Sequence, residues 1–401
     1  MKIRTLVSGS DLYNTQMLYF TCSSLSLDNR RLYLISDRDG SSNVYVRDIE
    51  TGSEQRITQN TAGYQKSYVY FDGEEKRGLG KASVCLDVAR DIIYYIQDNC
   101  IYKAGAEGGV QMLAKVPDNQ VTAFTHVSSD GSRLCVPGTD ERALDFDPVT
   151  EGSGVDRRPV YSIDGRVQEE NLSSYLNVFD TQTGALLYSE RVPNCWITHV
   201  QFHPTDNSMI LYNHEWPSVD CGMRRMWIYN GKEHICVRPD APERSRHDWV
   251  CHEMWASDGR SIIYHGAGSN AGAFVGRYYL DSGEYSEISL PREYTAYGHF
   301  TIGTNDRLTC DGYYRRPDDV VRASAAPEGG PDPHKKNAEY ITVLDTDWDA
   351  QTIIWHPLCK HETDWRDQDS HPHAIMSHDN RFIYFTSRCD ATTKVFRVEI
   401  D

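Results

Sequence analysis

Toward one end of this 401-residue chain the run Gln368-Asp-Ser-His371-Pro-His373 sets two histidines two apart and a glutamine three before the first. On an extended segment side chains repeat every two residues, so both imidazoles point to one side. The glutamine can bring its amide oxygen to the same point. Two imidazoles and a carbonyl-type oxygen make a borderline-hard donor set, suited to a divalent first-row metal. Such a set needs more donors from elsewhere in the chain, and a repeat shows where they come from.

The clearest copy of that repeat is residues 19–58. It reads as strand, Asp-Asn turn, alternating strand, Asp-Gly turn, strand, Thr-Gly turn and short strand. Leu32, Leu34, Val44, Val46 and Ile49 give the alternation of half-buried antiparallel strands. Four strands in about 40 residues is the size of one propeller blade. The first turn recurs near Asp28, Asp87, Asp130, Asp206, Asp258, Asp306 and Asp379, and the exit turn at Asp48–Gly52, Asp180–Gly184 and Asp281–Gly283. Seven starts predict an all-β chain, one seven-bladed β-propeller domain over 1–401. Insertions near 138–172 and 313–338, rich in Pro, Gly and charge, read as loops over one face. The segment around Thr5–Tyr19 is expected to complete the last blade, so that no long edge is left exposed.

The repeat makes the histidines interpretable. His199 and His299 each lie seven residues before their turn aspartate, and His252 and His373 six. All four therefore sit where the innermost strand of blades four to seven begins. Those starts surround the mouth of a propeller channel, where distant side chains converge. A lone histidine there is more often a hydrogen-bonded core residue; four in register point to a site. His203, His265, His356 and His378 are off register and read as structural. Asn213-His214-Glu215-Trp216 and the pair Arg224-Arg225 fall on the same rim. Arginine grips a carboxylate through two parallel hydrogen bonds, although a solvated pair at a strand edge is the plainer reading. His361 and Trp365, just before the metal-like cluster, either shape the pocket or pack.

The bulk numbers narrow the partners. A formal net charge of −17 without a basic stripe argues against general nucleic-acid binding. An acidic substrate must then be held by local arginines or a metal, against the global field. The eleven cysteines are an odd number without framework spacing, the first residues lack the apolar core of a signal peptide, and no apolar run of about 18 residues offers a membrane span. The expectation is a cytoplasmic protein with reduced thiols and no membrane partner. Cys22, Cys85, Cys135 and Cys310 read as small core residues.

Together these segments resemble the oligogalacturonate lyase family, a seven-bladed propeller class of polysaccharide lyase. The resemblance is carried, in the family's order, by blade 19–58, Thr-His199 with Pro204 and Asp206, Asn-His214-Glu215 with Arg225-Met-Trp, His252-Glu-Met-Trp with Asp258-Gly259, Gly-His299-Phe, and Leu-Cys-Lys-His361-x-x-x-Trp365 leading into Gln368-x-x-His371-Pro-His373. It implies a manganese ion, or another divalent first-row metal, held by His299, Gln368, His371 and His373. It also implies a histidine base at His252, an arginine at Arg225, and short α-1,4-linked galacturonides as substrates, cleaved to unsaturated products. His199, His214 and Arg224 remain candidates for sugar binding or proton relay. The 138–172 and 313–338 segments and Asp367 depart from the family pattern, which bears on sugar choice more than on metal chemistry.

The implied chemistry agrees with the residues. β-Elimination from a uronide removes the proton α to the carboxylate, at C5, and expels the C4 oxygen. A metal on the carboxylate acts as a Lewis acid, and a neutral histidine near pH 7 is a matched proton acceptor. Three rivals remain: the same elimination on another uronic-acid oligosaccharide, a metal-dependent hydrolase with His252 or Glu253 as base, and a non-enzymatic propeller binding module. The chain lacks HExxH, GxSxG and paired CxxC patterns.

Overall fold

The alternating strands pair as seven antiparallel sheets, the blades of a seven-bladed β-propeller. This is a computed structural model, and it describes residues 2–61, 79, 80, 82, 84–144, 150, 151, 158, 159, 167, 169–215, 224–242, 244, 245, 247–268, 272–290, 298–312, 339–365 and 369–400. The chain divides into two compact units. Met17–Pro239 holds blades one to four; Met1–Gln16 with Asp240–Asp401 holds blades five to seven.

In blades two and four burial falls from the first strand to the last. In blade four, Val200–Phe202 and Ile210–Asn213 are buried throughout, whereas His234–Cys236 is half-exposed. The same gradient runs in blade two from Val84–Asp87, wholly buried, to Gly108–Lys115, mostly exposed. The inner strands therefore read as short apolar runs and the outer ones as polar alternations, which is why the pattern was visible in the sequence. In blade three the inner strand is split, Gln120–Thr122 and His126–Val127 both pairing with Arg133–Asp140. Cores lie between neighbouring blades. Tyr33, Ile35 and Val44 of blade one pack with Val84, Ile93 and Tyr95 of blade two, and each such side chain contributes about 1.5–3 kcal/mol on burial.

The turn aspartates act as local acceptors. Asp28, Asp130, Asp206, Asp258 and Asp379 each take the main-chain N–H two residues on, at 2.8–3.1 Å. That closes the hairpin between the first and second strands. Asp306 differs: it reaches into blade five, accepting from Ser257 N and from Arg277 at 3.0 Å. In the exit turns Asp48 and Asp180 accept from Thr51 N and Thr183 N at 2.7 Å, and Gly52 and Gly184 supply the positive φ that follows.

The last blade combines Ile375–Met376, Phe382–Ser387 and Lys394–Glu399 with Thr5–Ser8, whose Thr5 pairs with Arg397. The expected closure by the first residues is therefore present, carried by Thr5–Ser8; Thr15–Met17 instead opens blade one. Both predicted insertions fall between the second and third strands of a blade: after Arg133–Asp140 in blade three and after Leu308–Cys310 in blade six. Most of the first and all of residues 313–338 lie outside the described residues. Cys85, Cys135 and Cys310 are buried in strands, whereas Cys22 is half-buried and outside one. No described helix is long and apolar enough to cross a membrane.

Candidate metal centre and active site

In blades five to seven the starts of the inner strands carry most of the chemistry. His299 stands just before Phe300–Ile302. The next strand, Leu308–Cys310, delivers Asp311, which is wholly buried. Asp311 accepts from His299 N at 2.6 Å and from His373 N at 3.0 Å, and its Oδ2 lies 3.0 Å from His299 Nδ1. Burial works to raise its pKa, but the charge and hydrogen bonds of His299 outweigh it and hold the carboxyl below its usual range. A carboxylate there calls for a proton on Nδ1 and leaves the lone pair of His299 on Nε2.

That Nε2 faces Nε2 of His373 at 3.2 Å. The ligand atoms of His299, His371 and His373 all lie within 4.8 Å of one another. Two imidazole nitrogens so close, one presenting a lone pair, call for a proton or a cation between them. A divalent ion with metal–nitrogen bonds of about 2.0–2.1 Å spaces neighbouring ligand nitrogens at about 3.0–3.4 Å. The His299–His373 pair therefore fits a divalent metal in spacing, and all three histidines fit it in donor type. The expected fourth donor, Gln368, lies outside the described residues.

One expectation needs correcting. His371 and His373 are not on an extended strand: the strand begins at Ile375, and His373 has a left-handed backbone with φ 43. The two rings converge, 5.7 Å between centroids, because the chain turns there and not because side chains alternate. Pro372 O accepts from Thr386 N at 2.9 Å and anchors the turn to the neighbouring strand.

His252 joins this cluster from blade five. It lies in Trp249–Trp255, at a β-bulge between Cys251 and Met254, with φ 53. Its ring is 4.6 Å from that of His299. Its Nδ1 is 2.6 Å from Nε2 of His265 on the adjacent strand Ser261–Gly268. His265, off register in the repeat, is thus a direct neighbour of the candidate base. Trp365 closes another side, its ring 4.8 Å from His371 and its indole N–H donating to Glu339 at 2.6 Å. His361 is wholly buried beneath it, and burial pushes its pKa down to about 4, so it is neutral.

The other expected residues lie in the unit Met17–Pro239, in a network of their own. Arg225 is 3.0 Å from both oxygens of Glu215, which also accepts from Thr198 Oγ1 and Asn213 Nδ2 at 2.9 Å. Burial works to raise the pKa of Glu215, but Arg225, then His199, outweigh it and keep the carboxyl low. His199 has both nitrogens engaged at 2.8 Å, Nε2 with Tyr19 Oη and Nδ1 with Thr198 Oγ1, and its ring stacks on Phe124. His214 is buried against Tyr212 and Trp227, and burial pushes its pKa down to about 3. Arg224 offers its main-chain carbonyl to the indole of Trp227 at 2.9 Å.

No family model matches the chain. It is 22% identical over 397 residues to an oligogalacturonate lyase of Dickeya dadantii (strain 3937), covering 95% of this chain and 89% of that protein. An oligogalacturonide lyase of Pectobacterium atrosepticum is 23% identical over the same shares. Among solved structures, an oligogalacturonate lyase in complex with manganese superposes with a TM-score of 0.72 at 19% identity, over 100% of this chain and 93% of that one. The chain resembles the oligogalacturonate lyases. The likeness in sequence to these lyases, over 95% of the chain, supports a lyase enzyme.

Proposed function

We propose that this protein is a metal-dependent lyase of pectin-derived oligosaccharides, cleaving short α-1,4-linked galacturonides by β-elimination in the cytoplasm. The observation that carries the reading is the placement of His252, whose ring lies 4.6 Å from the triad member His299 and is held by His265. A base so placed reaches a sugar held at the triad without being one of the ligands. His299, His371 and His373 would hold the metal, with Gln368 as fourth donor by resemblance. A divalent cation there, manganese in this reading, supplies Lewis-acid stabilisation of the uronate carboxylate as negative charge develops on it.

His252 takes the C5 proton; the C5–H electrons become the C4=C5 double bond, and the C4–O bond breaks with its electrons on the leaving oxygen. Asp311 holds His299 in one tautomer, and the half-buried Trp365 with the buried His361 beneath it walls one side. Arg225 is proposed, from the resemblance, as the arginine that shares the carboxylate charge. His199, His214 and Arg224 are proposed to shape the sugar-binding side through the framework around Glu215.

The test is ultraviolet absorbance of unsaturated product from digalacturonate and trigalacturonate, with chelator-stripped protein before and after Mn²⁺ addition. A metal-dependent rise is expected, and His252→Ala is expected to abolish it, a loss of at least about 10³-fold, while metal content stays at the wild-type value. Wild-type-like activity of that variant removes the base assignment; loss of metal makes His252 a ligand. Metal binding without any rise redirects the substrate to another uronide.

A further inference from the structure

We infer that His265 positions the base: it decides which ring nitrogen of His252 carries the proton. The inference rests on the reading of His252 as that base. Three observations carry it. His265 is wholly buried, on the strand hydrogen-bonded to the one that bears His252. Its Nε2 lies 2.6 Å from His252 Nδ1, with ring centroids 4.8 Å apart and ring planes 19° from parallel, so the two rings meet edge to edge. The contact exists only because the strand bulges: regular pairing sets Cys251 opposite His265, the register then skips to Met254, and His252 occupies the gap with φ 53. A left-handed backbone is costly for a residue with a side chain, and bulges that re-aim a side chain are typical of working sites.

The chemistry gives the pairing a direction. A histidine accepts a substrate proton only at a nitrogen that has a lone pair. With Nδ1 donating to His265 Nε2, the lone pair of His252 is on Nε2. In the opposite tautomer Nε2 already carries hydrogen and the base is disabled. After Nε2 takes the C5 proton, Nδ1–H still donates to the same acceptor, which supports the imidazolium. Phe300, 4.4 Å from the His265 ring, and Trp249, edge-on at 5.2 Å, hold His265 in place. His265 touches no substrate atom in this scheme; it acts through His252.

The experiment compares wild type with His265→Gln, whose side-chain oxygen can accept near the position of Nε2, and His265→Leu, which has no acceptor; all are loaded with Mn²⁺. His265→Leu is expected to lower kcat on the order of 10²-fold with KM nearly unchanged and metal content equal, and His265→Gln to recover at least about tenfold of that loss. Nitrogen NMR of isotopically labelled histidine, recorded with diamagnetic Zn²⁺ in place of paramagnetic Mn²⁺, is expected to place the proton of neutral His252 on Nδ1 in the wild type. A His265→Leu kcat within about twofold of wild type, or a wild-type His252 protonated on Nε2, overturns the inference. If His265→Leu does not fold, the Gln variant and the wild-type spectrum still decide. His252→Ala separates the two readings. Activity retained there removes the base itself, whereas an inactive His252→Ala beside a fully active His265→Leu leaves the base and removes only the role of His265.

Discussion

Asp311 is the residue on which the candidate metal centre hangs. Its two oxygens hold the ring of His299 and the main chain of both His299 and His373, so one buried carboxylate orients donors from two blades. Replacing a carboxylate behind a metal-bound histidine usually weakens affinity 10- to 100-fold, about 1.4–2.7 kcal/mol. Asp311→Asn is therefore expected to raise the Kd for Mn²⁺ by that factor or more in calorimetric titration, because the amide keeps one acceptor oxygen where His299 N and His373 N each use their own. An unchanged Kd would show that the triad orients itself. The register of aspartate turns picks out His199, His252, His299 and His373; the structure brings the last three together with His371, whereas His199 bonds to Tyr19 and Thr198. In the sequence Asp311 goes unnamed and His265 reads as structural, for a physical reason. Each is one polar residue at or near the end of an apolar strand, Leu-Thr-Cys-Asp311 and Ile-Ile-Tyr-His265, where sequence alone reads a polar strand terminus. Their partners arrive from other strands, 12 residues away for His299 and Asp311 and 62 for Asp311 and His373.

At the scale of elements, the turn that delivers His299 is the most demanding. Gly298 has φ +140, and a Cβ there would lie 2.6 Å from the main chain of Gly312 and 2.9 Å from Asp311 Oδ1. Neither neighbour is a flexible side-chain tip that can move aside. Gly298→Ala is expected to cost about 1–3 kcal/mol and to weaken metal binding along with it. Gly40→Ala is the control: it shares a positive φ but meets nothing within 4 Å, so it carries backbone strain without the clash. Thermal unfolding and Mn²⁺ titration of both variants check this; equal metal affinity in the two would sink the argument. Elements were largely legible beforehand, since an aspartate accepting from the N–H two residues on is a local device that a sequence displays directly. The bulge at His252 and the left-handed turn at His373 were not. Both are backbone conformations stabilised by tertiary partners, and an extended segment and a turn can share the same residues.

The whole molecule adds a pH dependence. His214 and His361 are buried and neutral, their pKa values pushed down by burial to about 3 and about 4. In the unfolded chain each titrates near about 6.5. Below that pH the unfolded state binds protons that the folded state refuses, so stability is full above about 6.5 and is lost as pH falls toward about 4. The loss is on the order of 2 kcal/mol per histidine at pH 5, from about 1.5 pH units at 1.36 kcal/mol each. Turn aspartates such as Asp130, whose pKa its hydrogen bonds to Ser132 and Ser128 hold at about 2 against the opposing effect of burial, add a second loss at lower pH. Calorimetry of chelator-treated protein is expected to show Tm falling steadily from pH 7 to pH 5, and His214→Asn to flatten that slope. A Tm independent of pH over this range would mean that these histidines are not buried neutral.

Thr5–Ser8 completes the sheet that ends with Lys394–Glu399, and this sets a clock on biosynthesis. The chain leaves the ribosome from its first residue onward, so the opening strand must wait for the closing one. At about 5–20 residues per second, the stretch from Thr5 to Glu399 takes roughly 20–80 s. Blades one to four can gather their cores during that interval, because their strands arrive consecutively. Blade seven can form its full hydrogen-bond ladder only after Lys394–Glu399 has been made. Until then the edge of Thr5–Ser8 stays open to chaperones or to other nascent chains.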